Sequence, residues 1–323
     1  MPRQPRLDAP GLLHHIIARG VNRGMIFSDA RDKEDFLGRL AKMLAWSGGR
    51  CFAWALMTNH FHLLIQSGTE SLGRMMQRIL TGYAATFNLR HGRVGHLFQS
   101  RFKSILCQQD AYFKELVRYI HLNPPRAGMV QTLEELETYP WTGHAVLMGR
   151  QSASWQEVQE TLSWWGPGME EARERYAGFM AAGFQEPESD YLEQGSGLRS
   201  LLEAERRPSL SDSWDLRILG NRDFASKVLS QVEARDTRRR RMRAAGLSLD
   251  DLCRDLCGTL GLATAEALGR SKKPIVSRFR ALAAYRAVDE CGWPAVEVAR
   301  FLGISEPSLS AARERGRILG CVK

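Results

Sequence analysis

Apolar positions recur with two different periods along the first half of the chain. GLLHHIIARGV (residues 11–21) is short, apolar and β-branched, and reads as a strand, whereas RDKEDFLGRLAKMLAWSG places Phe36, Leu37, Leu40, Met43 and Leu44 at helical spacing. RCFAWALM and HFHLLIQ are two further strand candidates. Only Thr58 and Asn59 separate them, and Asn tolerates left-handed backbone, so the pattern predicts a tight hairpin. SLGRMMQRILTGYAATFNLRHG predicts a second helix and SRFKSILC a further strand. DAYFKELVRYIHLN predicts a third helix, capped by Asp110 and stopped before Pro124. The order β-α-β-β-α-β followed by a helix predicts an α+β fold with a ferredoxin-like antiparallel sheet over residues 1–150.

Beyond residue 150 the pattern changes. GRQSASWQEVQETLSWWGPG and the Glu-, Ser- and Gly-rich FQEPESDYLEQGSGLRS predict a helical connector over 151–230. A basic segment and an all-α domain are expected over 231–323. EARDTRRRRMRAAG carries Arg238, Arg239, Arg240, Arg241 and Arg243, which suit either a solvated linker or contact with a phosphate backbone. In PAVEVARFLGISEPSLSAARERG, Ala299 sits where two helices approach closely and Gly303 supplies a turn. Val298, Leu302, Ile304 and Leu309 are spaced to lock the two helices together, and Ser305 caps the second. That spacing fits a helix-turn-helix, in which Ser308, Ser310 and Arg313 are the side chains best placed to enter a DNA groove; a plain helical hairpin has the same pattern.

Charge narrows the partners. The 323 residues carry a formal net charge of +9, which favours an anionic partner, nucleic acid being the commonest. The first residues lack an apolar signal region, and no run approaches the length of a membrane span, so a cytoplasmic, non-membrane protein is expected. The six cysteines are scattered without a C-x-x-C pair and read as reduced thiols.

Two histidines stand inside an apolar run. If the strand begins at His60, then Phe61, Leu63 and Ile65 face the core, and His60 and His62 share the opposite face. Two neutral imidazoles at that spacing can hold one divalent cation, or can simply be hydrogen-bonded on a half-buried sheet. On the third helix Phe113, Leu116, Val117 and Ile120 form an apolar stripe with Tyr112, Tyr119 and Asn123 along its margin. Tyr119 and Asn123, four residues apart, point the same way; a phenol is a nucleophile and an amide oxygen suits a hard cation. The same residues also fit an ordinary amphipathic margin. His14, His15, His91, His96, His121 and His144 read as structural or near the substrate. Arg74 and Arg78 on the second helix, and Arg101 and Lys103 alternating on a strand, are candidate phosphate contacts.

MTNHFHLLI, followed some sixty residues later by RYIHLNPPRAGMV, resembles the single-tyrosine HUH transposases, and within them the REP-associated tyrosine transposases. RGVNRGMIF, GHLFQSRFKS and YPWTGHAVLMG extend the resemblance over residues 8–150. The resemblance implies that His60 and His62 bind a divalent metal, Mg²⁺ or Mn²⁺, that Tyr119 is the nucleophile and that Asn123 is the third metal ligand. It also implies cleavage and rejoining of single-stranded or hairpin DNA through a 5′-phosphotyrosine, by a monomer or homodimer. The family's usual Pro-Val-Arg-Ala-Gly after the asparagine is Pro-Pro-Arg-Ala-Gly here, placing Pro125 directly after Pro124. KKPIVSRFRALAAYRAV and the following helices resemble the DNA-binding domain of the replication initiator DnaA over residues 270–317, which implies contact with duplex DNA. The competing reading is a domesticated, non-catalytic regulator that binds hairpin DNA.

Overall fold

The computed structural model describes residues 7–68, 70–185, 217–232, 248–269, 271, 273–293 and 295–321. The chain divides into two compact units, Met1–Ala225 and Ser226–Lys323.

In the first unit β1 (Leu13–Arg19), α1 (Ala30–Ser47), β2 (Arg50–Leu56), β3 (His60–Gln66), α2 (Leu72–Arg90) and β4 (Lys103–Cys107) follow the expected alternation. The strands lie in the order β2-β3-β1-β4, each neighbour antiparallel, which is the ferredoxin-like arrangement. The sheet does not stop there. β5 (Ile218–Leu219) pairs in parallel with β4 at Leu106 and Cys107, so the sheet is mixed rather than wholly antiparallel. A two-residue strand arriving from so far along the chain carries no readable period.

Helices cover both faces. α1 and α2 bury Phe36, Leu40, Leu44, Met76, Ile79 and Tyr83 against Ile16, Trp54, Phe61, Leu63 and Ile65. Asp29 caps α1 by accepting from the Asp32 amide, and Gly48 ends it in left-handed backbone. The opposite face takes α3 (Gln109–His121), whose Phe113, Leu116, Val117 and Ile120 pack on Phe52, Ala55, Leu64 and Ile105. α4 (Asn123–Arg126), α5 (Leu133–Thr138), α6 (Gly143–Leu147), α7 (Val158–Ser163) and α8 (Met169–Gln185) follow. Leu162, Trp165, Tyr176 and Met180 belong to the same core as α3, so the segment from α7 to α8 is packed into this unit. Each such side chain, fully buried, contributes on the order of 1.5–3 kcal/mol.

Two local expectations change. The β2–β3 turn closes with the Met57 amide donating to the His60 carbonyl at 2.9 Å, and Asn59 keeps negative φ; left-handed non-glycine backbone falls instead at Asn22 and Arg23. α3 begins two residues earlier than a cap at Asp110 would place it. Gln108 is its N-cap, and Asp110 lies in the first turn, where its charge meets the helix dipole. α3 stops at His121, before Pro124 as expected, and both prolines then fall in the first turn of the separate α4, where amides need no helical partner.

Among its described residues the second unit is all-α, including α9 (Leu249–Leu260), opened by a Ser248–Asp251 capping box, α10 (Thr264–Leu268), α11 (Pro274–Tyr285) continued by a π-helical turn over Arg286–Glu290, α12 (Ala295–Phe301) and α13 (Glu306–Cys321). Val298, Ala299, Leu302 and Leu309 are buried, and Gly303 turns at φ 64° between α12 and α13. Ser305 accepts from the Ser308 amide, as a cap should. α13 crosses α11 at Gly316, where a Cβ would stand 2.0 Å from the Ala281 carbonyl oxygen, so only glycine fits there. Cys51, Cys107, Cys253, Cys257 and Cys291 are buried free thiols. Among the described residues no helix is long and apolar enough to cross a membrane.

Candidate functional site

Register decides which side chains meet. β1 lies between β3 and β4, pairing Ile17 with both His62 and Lys103, Arg19 with His60, and His15 with both Leu64 and Ile105. Alternation along each strand then sets His15, Arg19, His60, His62 and Lys103 on one face, the face under α3. Phe61, Leu63 and Ile65 turn to the other core, as expected.

Tyr119, half-buried on α3, lies edge-on to both His62 and His15, with ring centroids 5.6 and 5.7 Å apart. The rings of His15 and His62 stack at 5.1 Å, with His15 Nε2 2.9 Å from His62 Nδ1, and His60 lies edge-on to His62 at 5.0 Å. His60 Nδ1 is 2.7 Å from Asn59 Oδ1, and Asn59 Nδ2 donates to the Arg23 carbonyl at 3.0 Å. Asn123 follows Tyr119 by one helical turn and donates from Nδ2 to the Tyr119 carbonyl at 2.7 Å, leaving its amide oxygen as the acceptor. Tyr112, the other tyrosine on this helix margin, is buried in the apolar core.

Burial sets the protonation states. Desolvation, with the Lys103 charge adding to it, pushes the His15 imidazole down to about 3. Desolvation and then Arg19 push His60 down to about 4. His62 is held well below the usual histidine range, mainly by burial and then by the neighbouring His15, His60 and Arg19. All three imidazoles are therefore neutral near pH 7, the state in which a ring nitrogen can donate to a metal.

α3 is fixed from behind. The Tyr176 hydroxyl on α8 lies 2.8 Å from His121 Nδ1 and 2.7 Å from His144 Nδ1, all three side chains being buried. It can donate to one nitrogen while accepting from the other.

Among the described residues no group of three or more His, Cys, Asp or Glu side chains is arranged to hold a metal. The donor set that the sequence suggests, two imidazoles and an amide oxygen, lies outside that definition. Its nitrogens are neutral and its oxygen is hard, so it fits a divalent cation that accepts imidazole, Mn²⁺ better than Mg²⁺.

The candidate DNA contacts scatter. Lys103 opens β4 on the site's face and is exposed. Arg101 sits in the bend before β4 rather than on the strand, and lines a groove of about 760 Å³ with Gln77, Thr81, His96 and Phe98. Arg74 and Arg78 stand over the Trp46 ring, 5.5 and 4.4 Å from its centroid, and Arg74 also pairs with Glu70; they belong to the helices on the opposite face. In the second unit Ser308 is exposed and Ser310 half-exposed. Arg313 is different. It is 2% exposed, and its guanidinium makes two hydrogen bonds to the Asp289 carboxylate at 2.9 and 3.0 Å, an internal pair that withdraws it from any groove. Arg238, Arg239 and Arg240 lie outside the described residues.

The sequence alone did not single out His15 or Arg19. Their signal was the pairing register of β1 with β3, which is not a local property.

The first unit thus has a mixed sheet whose histidine face is covered by a tyrosine-bearing helix. Residues 9–123 match the family model "Transposase IS200 like". This agrees with the REP-associated tyrosine transposase resemblance of its motifs. A solved structure, a REP-associated tyrosine transposase bound to a REP hairpin, is similar at 16% identity and TM-score 0.39, covering 49% of this chain and 98% of that one. No curated protein matches the chain.

Proposed function

We propose that the first unit is a divalent-metal-dependent single-stranded DNA endonuclease and strand transferase, with Tyr119 as nucleophile and His60, His62 and Asn123 as metal ligands. The observation that carries this reading is the packing of the Tyr119 ring against His62 and His15 on a sheet face flanked by Arg19 and Lys103. A bound divalent cation would supply Lewis-acid polarisation of a phosphate oxygen. Arg19 and Lys103 would hold the phosphate by charge. A phenol of ordinary acidity is only about one part in a thousand ionised at pH 7. In the step itself Tyr119 loses its hydroxyl proton to water and its oxygen bonds to phosphorus. The P–O3′ bond breaks, and the departing oxygen takes up a proton as a free 3′-hydroxyl. The 5′-phosphotyrosine keeps the bond energy of the ester, so attack by a second 3′-hydroxyl rejoins strands without ATP. The substrate class is REP-like hairpin DNA, with the second unit adding contacts to duplex.

Labelled hairpin DNA incubated with protein and Mg²⁺ or Mn²⁺ tests the reading. Wild type and Tyr112→Phe should form an adduct that survives denaturation. Tyr119→Phe should form none while still shifting the hairpin in a native gel. An adduct lost in Tyr112→Phe and kept in Tyr119→Phe would reassign the nucleophile. Hairpin binding by wild type with no adduct under either metal would favour the non-catalytic regulator.

A further inference from the structure

His60 and His62 each have one ring nitrogen committed to a neighbour, and in both it is Nδ1. For His60 the partner's orientation fixes the proton. Asn59 Nδ2 donates to the Arg23 carbonyl, so Oδ1 is the atom left facing His60 at 2.7 Å, and Oδ1 can only accept. Nδ1 of His60 therefore carries the hydrogen, and Nε2 keeps its lone pair. Arg23, the residue that orients Asn59, has left-handed backbone at φ 58°, and Gly20 closes the same loop, since a Cβ there would meet the Gly24 carbonyl oxygen at 2.0 Å.

For His62 the partner is His15 Nε2 at 2.9 Å. His15 is 0% exposed, and its other nitrogen, Nδ1, has no hydrogen-bond partner among the described residues. A wholly buried imidazole with one unpartnered nitrogen costs more than leucine or phenylalanine would at that position, so packing does not account for it. What leucine could not do is accept a hydrogen bond from His62. We infer that His15 and Asn59 are positioning residues for the metal ligands: each accepts the Nδ1 hydrogen of its partner, so that His62 and His60 both present Nε2 bearing a lone pair to one divalent cation. The inference rests on the proposed metal site.

The experiment uses the full-length chain. In metal-free wild type, ¹⁵N correlation spectra of the histidine rings should show His60 and His62 as Nδ1–H tautomers. Mn²⁺ affinity, read from free Mn²⁺ by electron paramagnetic resonance, should weaken about 10- to 100-fold in His15→Phe and in Asn59→Ala. His15→Gln, which keeps an acceptor near Nε2, should stay within about threefold of wild type, a rescue that loss of packing alone would not give. Should His15→Phe fail to fold, the wild-type tautomers and the Gln variant still decide. An Nε2–H tautomer at His62, or His15→Phe and Asn59→Ala binding Mn²⁺ as wild type does, would overturn the inference and leave the metal site standing. Absence of Mn²⁺ binding in wild type at millimolar concentration would overturn both.

Discussion

The two faces of the sheet are made by the same strands and differ by one step along the chain. Under α1 and α2 the face is mostly aromatic and aliphatic: Ile16, Trp54, Phe61, Leu63 and Ile65, with His14 on the central strand β1 bonded to Ser104 Oγ at 3.1 Å. Under α3 the same strands present His15, His60 and His62, with a phenol laid across them. The first face yields only burial. The second gives up part of that burial to hold neutral nitrogens in a fixed array, so its residues should answer to function and those of the other face to stability.

The largest contrast is expected on the histidine face. His60→Ala or His62→Ala should bring adduct formation below detection, with partial recovery at high Mn²⁺, because two ligands remain and Mg²⁺ binds imidazole poorly. Full activity in EDTA would remove the metal from the proposal. Truncation on the other face should act through folding alone. Phe36→Ala should cost about 3–5 kcal/mol in a denaturant titration while Mn²⁺ affinity of the folded fraction stays unchanged. A changed affinity would mean that the faces are coupled through the sheet.

Acid should separate the faces less sharply. Burial holds His14, His60 and His144 at about 4 and His15 at about 3, against an ordinary value of 6.5. Above pH 6.5 these groups are neutral folded or unfolded and contribute no pH dependence. Between about 4 and 6.5 the unfolded chain binds the extra protons, so stability falls as pH falls, by about 1.4 kcal/mol per unit for each fully shifted group. Melting temperatures from pH 7.5 to 4.5 check this, and His15→Gln should shallow the decline.

The smallest effect is on DNA affinity. A chain ending at Ala225 keeps β5 and should nick saturating DNA at the full-length rate. Its log-log salt slope should be flatter by roughly 2 to 3 units for three lost phosphate contacts. Arg313 is no longer among those contacts. Ending instead near residue 185 removes Ile218 and Leu219 from the edge of β4, and that form should melt at lower temperature.

The order of elements and the alternation along β3 could be read from the sequence because both are local periods. The hairpin, α1 and α2 fall where spacing places them, and Tyr119 does meet His62. The sequence read His15 only as structural or near the substrate, because the pairing of β1 with β3 is what brings it against His62. Arg313 misled for a related reason: helical spacing gives the face a residue occupies, but Asp289, in the turn after α11, decides whether that face is buried. β5 is too short to show a period at all.

One hydroxyl serves both His121 and His144, so Tyr176 cannot depart without stranding two buried ring nitrogens together. Local opening is then not graded: α8 and the helix bearing Tyr119 should breathe as a single cooperative segment. In native-state hydrogen exchange their amides should share one opening free energy, and Tyr176→Phe should lower it for both helices at once, including amides of α3 remote from the substitution.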